Sequence, residues 1–223
     1  MNAGPPGPVR TLRPARTTAT RQKLFDASME LIGERGAAGV TVDEIAAAAG
    51  VSKGTVYYNF GSKSELIAQL LRHGVDILKA RLQEAPGQEA AAQGAATAVS
   101  GDPLLAMEAM IGQALDFMSE YPSFARLWVS ENWRTPSEWQ GTFAVLRGEL
   151  LAVIGEAVER VAQAYPVDST VPRGSLETAI FGACFVVGLD RQTYHPERTR
   201  DQSVAAIMAF MRGYVLQRPD PQG

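Results

Sequence analysis

Cysteine is almost missing. The single one, Cys184, excludes an intrachain disulfide and fits a reducing compartment. Histidine is nearly as scarce, and His73 and His195 have no partners at ligand spacing, which argues against a metal site. No P-loop, GxSxG or HExxH motif occurs, so neither an enzyme nor a cofactor is expected. Long apolar runs are lacking too. The longest, Leu176–Leu189, contains Glu177 and falls short of the roughly 20 residues that span a bilayer. The opening MNAGPPGPVR lacks the apolar stretch of a secretory signal. A cytoplasmic, non-membrane chain is expected. Strict period-two alternation is also absent, which excludes a sheet and leaves an all-α fold.

What is present begins with an uneven charge. The net charge is −3. Residues 1–63 nevertheless carry eight Lys/Arg against five Asp/Glu, while the remainder carries 13 against 19. A basic end on an acidic body points to contact between that end and a polyanion. Residues 1–17 hold Arg10, Arg13 and Arg16 and no acid, and read as a flexible basic tail. At 46% hydrophobic, the rest can bury a substantial core.

Helical periodicity starts near Thr20. Rows Leu24, Ser28, Leu31 and Phe25, Met29, Ile32 make one broad apolar stripe, and Gly36 stops it. Thr41 and Glu44 have capping-box spacing, so a second helix opens near Val42 and ends at Gly50. Ser52 caps a third, Lys53 to Phe60, which Gly61 ends. Ser62 and Glu65 form another box and open a connecting helix, residues 63–82. Residues 83–102, poor in large apolar side chains, read as a linker. Further helices are predicted over 103–120, 123–134, 135–164 (a box from Thr135 to Glu138), 173–193 and 196–217, with 218–223 as a tail.

Two short helices joined by a tight glycine turn make a helix-turn-helix. Ala46 is small where the helices cross, and Val51 and Val56 fill the space between them. Val56 and Phe60 are four apart and face inward, which leaves Lys53, Gly54, Thr55, Tyr57 and Tyr58 outside. Lys53, Gly54 and Tyr57 suit base edges. The hydroxyls of Thr55 and Tyr58 suit phosphate oxygens. Lys63 adds a cation at a helix N-terminus.

The stretch TVDEIAAAAGVSKGTVYYNFGSKSELIAQLL, within a match from about Thr18 to Leu71, resembles the DNA-binding domain of TetR/AcrR-family transcriptional regulators. The resemblance implies base-facing Lys53, Gly54 and Tyr57 and phosphate-facing Thr41, Thr55, Tyr58 and Lys63. It departs at Asp43, where some relatives carry a base-reading arginine; an acid there pairs with a cation or accepts from a cytosine amine. The resemblance further implies a C-terminal helical domain, 63–217, that dimerises and holds a small effector.

The residues of that domain agree. The last two predicted helices carry Ile180, Ala183, Val187, Val204, Ile207, Met208, Met211 and Val215 at helical spacing, with Gly182 and Gly188 permitting close approach, as a homodimer bundle would need. The middle helices are rich in aromatic and methionine side chains, which suits a cavity for an apolar or aromatic ligand. Its expected lining is Phe117, Trp128 and Phe143, with Arg126, Asn132 and Cys184 as polar handles. The expected function is a ligand-responsive repressor on a palindromic operator. A helix-turn-helix protein governed by a protein partner, or without inducer, is the main alternative. An all-helical enzyme whose helix-turn-helix only packs is another.

Overall fold

The computed structural model describes residues 13–92, 101–133 and 138–216. Nine helices occur among them: α1 (Arg13–Arg35), α2 (Val42–Ala48), α3 (Lys53–Phe60), α4 (Lys63–Ala92), α5 (Pro103–Glu120), α6 (Pro122–Asn132), α7 (Gln140–Ala164), α8 (Arg173–Thr193) and α9 (Arg200–Tyr214). No strand is formed among the described residues, and extended pairing is limited to an isolated bridge between Val167 and Val215. The fold is all-α, an N-terminal helix-turn-helix followed by a larger helical domain.

Helices as short as α2 and α3 are not stable alone in water. Local devices and burial hold them. Thr41 Oγ1 accepts from the Glu44 N–H while the Glu44 carboxylate accepts from the Thr41 N–H at 2.7 Å, closing the capping box. Ser52 Oγ accepts from the Thr55 N–H. Gly36, Gly50 and Gly61 sit at φ of 73°, 65° and 74°, in the left-handed region where a Cβ would be strained. Leu24, Ile32, Ile45, Ala46, Val56, Phe60, Leu66 and Ile67 then close a buried core beneath the turn. Burying each of the larger side chains contributes about 1.5–3 kcal/mol.

Some expected boundaries move. The helix of Arg13–Arg35 begins inside the stretch expected to be a flexible tail, so the backbone at Arg13 and Arg16 is helical; Arg10 lies outside the described residues. α4 runs to Ala92 rather than residue 82, because Leu82 and Ala85 stay buried and carry its inner face into the expected linker. Helix α6 covers Pro122–Asn132, starting a residue earlier and ending before the expected 134. α7 begins at Gln140 after an N-cap, Trp139, that makes no side-chain capping bond. Thr135 to Ser137 of the expected box lie outside the described residues, and Glu138 instead accepts from Ser64 Oγ at 2.7 Å. α9 starts at Arg200, not at residue 196, because Thr199 and Gln202 form a capping box there.

The helix-turn-helix is held to the rest of the chain where α1 lies on α6, and α4, which follows it, lies on α7. A Cβ on Gly33 of α1 would stand 2.2 Å from Ser123 Cβ, so glycine lets α6 lie against α1. Arg126 Nε donates to the Gly33 carbonyl at 3.1 Å and fixes that contact. At the other side, Trp139 Nε1 donates to the Ser64 carbonyl, and Glu149 of α7 receives Arg72 at 2.7 Å and Lys79 at 3.3 Å from α4.

Candidate nucleic-acid interface and effector cavity

The eight residues of α3 divide cleanly. Val56 and Phe60 are buried, and Phe60 packs edge-on against Phe25 with ring centroids 5.3 Å apart. Lys53, Gly54, Tyr57 and Tyr58 look outward, and Thr55 and Asn59 are half-buried. Tyr57 is 45% exposed and Tyr58 85%, and Lys53 and Gly54 are exposed beside them. A Cβ on Gly54 would meet nothing closer than 3.8 Å, so its open surface is available to a close-approaching partner. Thr55 is half-buried, and its hydroxyl shares a 2.9 Å hydrogen bond with Ser52. Lys63 is half-buried in the first turn of α4, where Ser62 Oγ accepts from the Glu65 N–H. Thr41 is exposed, but its hydroxyl donates to Glu44 at 2.8 Å, so a phosphate there competes with the cap of α2.

Charge on this face is ordered by two ion pairs. Arg35 contacts Glu44 at 2.7 Å. The Arg35 hydrogen bond, followed by those from Thr41, pulls the Glu44 carboxyl down to about 2. Lys53 Nζ donates to Asp43 Oδ2 at 2.8 Å, joining α2 to the start of α3, and that bond raises the lysine above its ordinary range. Of the two roles open to Asp43 from sequence, this free chain shows pairing with a cation.

The C-terminal domain holds a cavity of about 20 Å³. Its walls are Leu78 and Leu82 of α4; Met110, Ile111, Ala114 and Met118 of α5; Leu150 and Ile154 of α7; and Ile180, Phe181, Cys184 and Phe185 of α8. Cys184 is the one expected ligand residue among them. Burial pushes its thiol up to about 12, so it stays protonated and unreactive at neutral pH. Phe117, Trp128 and Phe143 are not in the lining. They belong to a packed aromatic cluster behind it, in which Trp128 stacks on Phe185 at 5.7 Å and meets Phe143 edge-on at 5.0 Å. Arg126 serves the contact with α1, and half-buried Asn132 lies outside the lining. The wall residues that sequence reasoning missed recur at four-residue spacing, as in Leu78/Leu82, Phe181/Phe185 and Leu150/Ile154. That spacing marks a helix face but does not say which face borders a space.

Most residues expected at a dimer face are instead taken up by the chain's own core. Ile180, Val204, Ile207, Met208 and Met211 are buried inside the single chain, where α5 and α7 cover them. Gly188 packs against Met118 and Leu115 of α5. Uncovered on α8 and α9 are Val186 at 66% and Phe210 at 46%, together with exposed Ala205, Ala206 and Ala209. Ala183, Val187 and Val215 are half-buried beside them.

Among the described residues no helix is long and apolar enough to cross a membrane. Fold and exposed face together define an all-helical protein built on a helix-turn-helix. The sequence profile described as "Bacterial regulatory proteins, tetR family" matches residues 24–70. The same region is 39% identical over 57 residues to the HTH-type transcriptional regulator SrpR of Pseudomonas putida. That match covers 26% of this chain and 27% of SrpR, about a quarter of the relative's length. Solved structures resemble the chain over most of its length. The fatty acid degradation regulator FadR from Bacillus halodurans superposes with a TM-score of 0.73 at 15% identity, covering 87% of this chain and 95% of that one. FadR from Bacillus subtilis in complex with stearoyl-CoA gives 0.72 at 16% identity, covering 86% and 98%. The helix-turn-helix domain of this chain belongs to the TetR family, and the chain as a whole has the fold of these regulators.

Proposed function

We propose that the chain is a ligand-responsive transcriptional repressor that binds a pseudo-palindromic operator as a homodimer. A small apolar or aromatic molecule releases it. One observation carries the reading: α4 begins at Lys63, beside the outward face of α3, and the same helix supplies Leu78 and Leu82 to the cavity wall. One continuous helix would then join the duplex-facing end to the effector space. The cavity of about 20 Å³ has room for about one water. An effector larger than that must displace a wall, and α4 is one of the walls. Effector and operator then favour different positions of α4, which is the condition for negative coupling between two ligands. The lining, apolar apart from the Cys184 thiol, favours hydrocarbon or aromatic surface; the stearoyl-CoA bound by FadR of Bacillus subtilis is a molecule with such a chain.

The exposed apolar residues of α8 and α9 support the homodimer, since a two-fold axis would cover them with the same helices of a second copy. Two α3 helices could then enter successive major grooves, about 34–36 Å apart.

The small cavity also favours a second reading, a helix-turn-helix protein governed by a protein partner or without inducer. One experiment separates the two. The purified protein is used to enrich duplexes from a random pool, and its affinity for the enriched duplex is measured with and without a panel of fatty acyl and aromatic compounds. A two-fold symmetric motif whose affinity falls at least tenfold with one compound supports the first reading. A motif indifferent to the whole panel favours the second. No enriched motif overturns both.

A further inference from the structure

We infer that Asp43 is a specificity-determining residue of the operator face, which positions Lys53 and holds it back from sequence-independent contact with phosphates. The inference rests on the operator reading above.

Asp43 and Lys53 sit on different helices of the helix-turn-helix, and their side chains are 65% and 52% exposed. A lysine on a four-carbon stem at such a surface would otherwise sweep a wide arc. The 2.8 Å bond to Asp43 Oδ2 draws the ammonium back across the gap between α2 and α3, at the N-terminal end of the reading helix. The other carboxylate in the first turn of α2, Glu44, is engaged by Arg35 and by its own cap. Asp43 has no part in that cap and is joined to the lysine.

The consequence depends on the duplex. On a random sequence, attraction comes from phosphates and is nearly blind to bases. There Asp43 acts twice against binding. It neutralises the lysine nearest the groove, and it adds a negative charge to the face that must meet the polyanion. On the right sequence both losses are recovered. An ammonium has three N–H donors, so Lys53 can keep Asp43 and still give hydrogen bonds to guanine O6 and N7. A cytosine amine in reach of Asp43 supplies a further donor. The carboxylate therefore weakens wrong complexes more than right ones, which is how negative elements create specificity.

The test compares wild type with Asp43→Asn, which keeps side-chain shape and removes the charge. Affinity is measured for the duplex that wild type enriches from a random pool and for a scrambled duplex of the same composition, over a range of salt. Expected for Asp43→Asn is a rise of about three- to tenfold in affinity for the scrambled duplex, with a salt slope steeper by about one. Affinity for the enriched duplex should stay level or fall, so the ratio between the two collapses by the same factor or more. Asp43→Glu, which retains the charge, should restore most of the ratio. If Asp43→Asn leaves the ratio unchanged, whether both affinities move together or neither moves, the inference is overturned while the operator reading stands. If wild type enriches nothing, both fall.

Discussion

Aromatic side chains cluster in two places in this molecule, and they do different work. On α3, Tyr57 and Tyr58 stand in solvent next to a lysine and a glycine. Behind the C-terminal cavity, Phe117, Phe124, Trp128 and Phe143 are each at most 2% exposed and pack in a chain of ring contacts. Leaving two tyrosines in water forgoes burial that contributes about 1.5–3 kcal/mol for a large apolar side chain. A folded chain gains nothing from that exposure by itself. The second cluster realises that gain in full. Residue type is thus a poor guide to role, and what separates the two clusters is which face of its helix each side chain occupies.

The contrast is sharpest within three residues, so the largest predicted effect lies there. Phe60→Ala removes a ring that is 3% exposed and packs against Phe25, and Arg21 lies 5.4 Å over its centroid. A loss of about 3–5 kcal/mol is expected. Urea or thermal unfolding of the isolated variant measures it. Tyr58→Ala, two positions earlier and 85% exposed, should change stability by no more than about 0.5 kcal/mol while weakening binding to a duplex. Equal destabilisation by the two variants would break the comparison and return the tyrosines to the core.

A second prediction divides the outward face itself. The Lys53→Ala, Tyr57→Ala double variant should fold normally and lose discrimination between its best duplex and single-base variants of it, by about 1–3 kcal/mol per base read. Lys63→Ala should weaken all duplexes alike and lower the salt slope by about one. Competition assays over a panel of substituted duplexes, repeated at several salt concentrations, check both. A double variant that keeps the wild-type base profile would remove Lys53 and Tyr57 from the reading surface.

How much of this was legible in the sequence follows from the same contrast. The helix-turn-helix could be read almost to the residue. α3 is short, both its ends are marked by a capping serine and a positive-φ glycine, and two inward residues fix its orientation. The long C-terminal helices offered no such anchor. α5 buries eight of its 18 residues, among them Met110 and Met118 towards the cavity and Phe117 towards the aromatic cluster. Periodicity shows that such a helix is buried on several sides but not which side borders empty space. The same blindness misplaced the residues expected at an interface. Ile207 and Met208 had the right spacing for an interface and were instead taken up by the chain's own core. Small residues, Ala205, Ala206 and Ala209, were left outside. The length of α4 was hidden for a different reason: Leu82 and Ala85 carry its buried face into a stretch whose composition is that of a linker.

The smallest predicted effect concerns how the exposed face is held in place, and it depends on pH. Glu44 has its carboxyl lowered from 4.5 to about 2, chiefly by the Arg35 hydrogen bond and then by the backbone and hydroxyl of Thr41. A carboxyl held lower in the folded chain than in the unfolded one binds fewer protons when folded, so its contribution is complete above pH 4.5. It is lost as pH falls from 4.5 towards 2. Glu120 and Glu149 are also lowered, by Arg81 and by Arg72 with Lys79, so the acid unfolding of wild type is a composite curve. Subtraction isolates the capping carboxylate. Glu44→Gln keeps an oxygen that can accept from the Thr41 N–H but carries no titrating charge. It should be modestly less stable than wild type at pH 7, and the gap should close as pH drops through that window, because wild type loses what the variant never had. Chemical unfolding midpoints at half-unit pH steps read this directly. A gap constant from pH 7 to pH 2.5 would mean that the cap acts through shape alone, without help from the Glu44 charge.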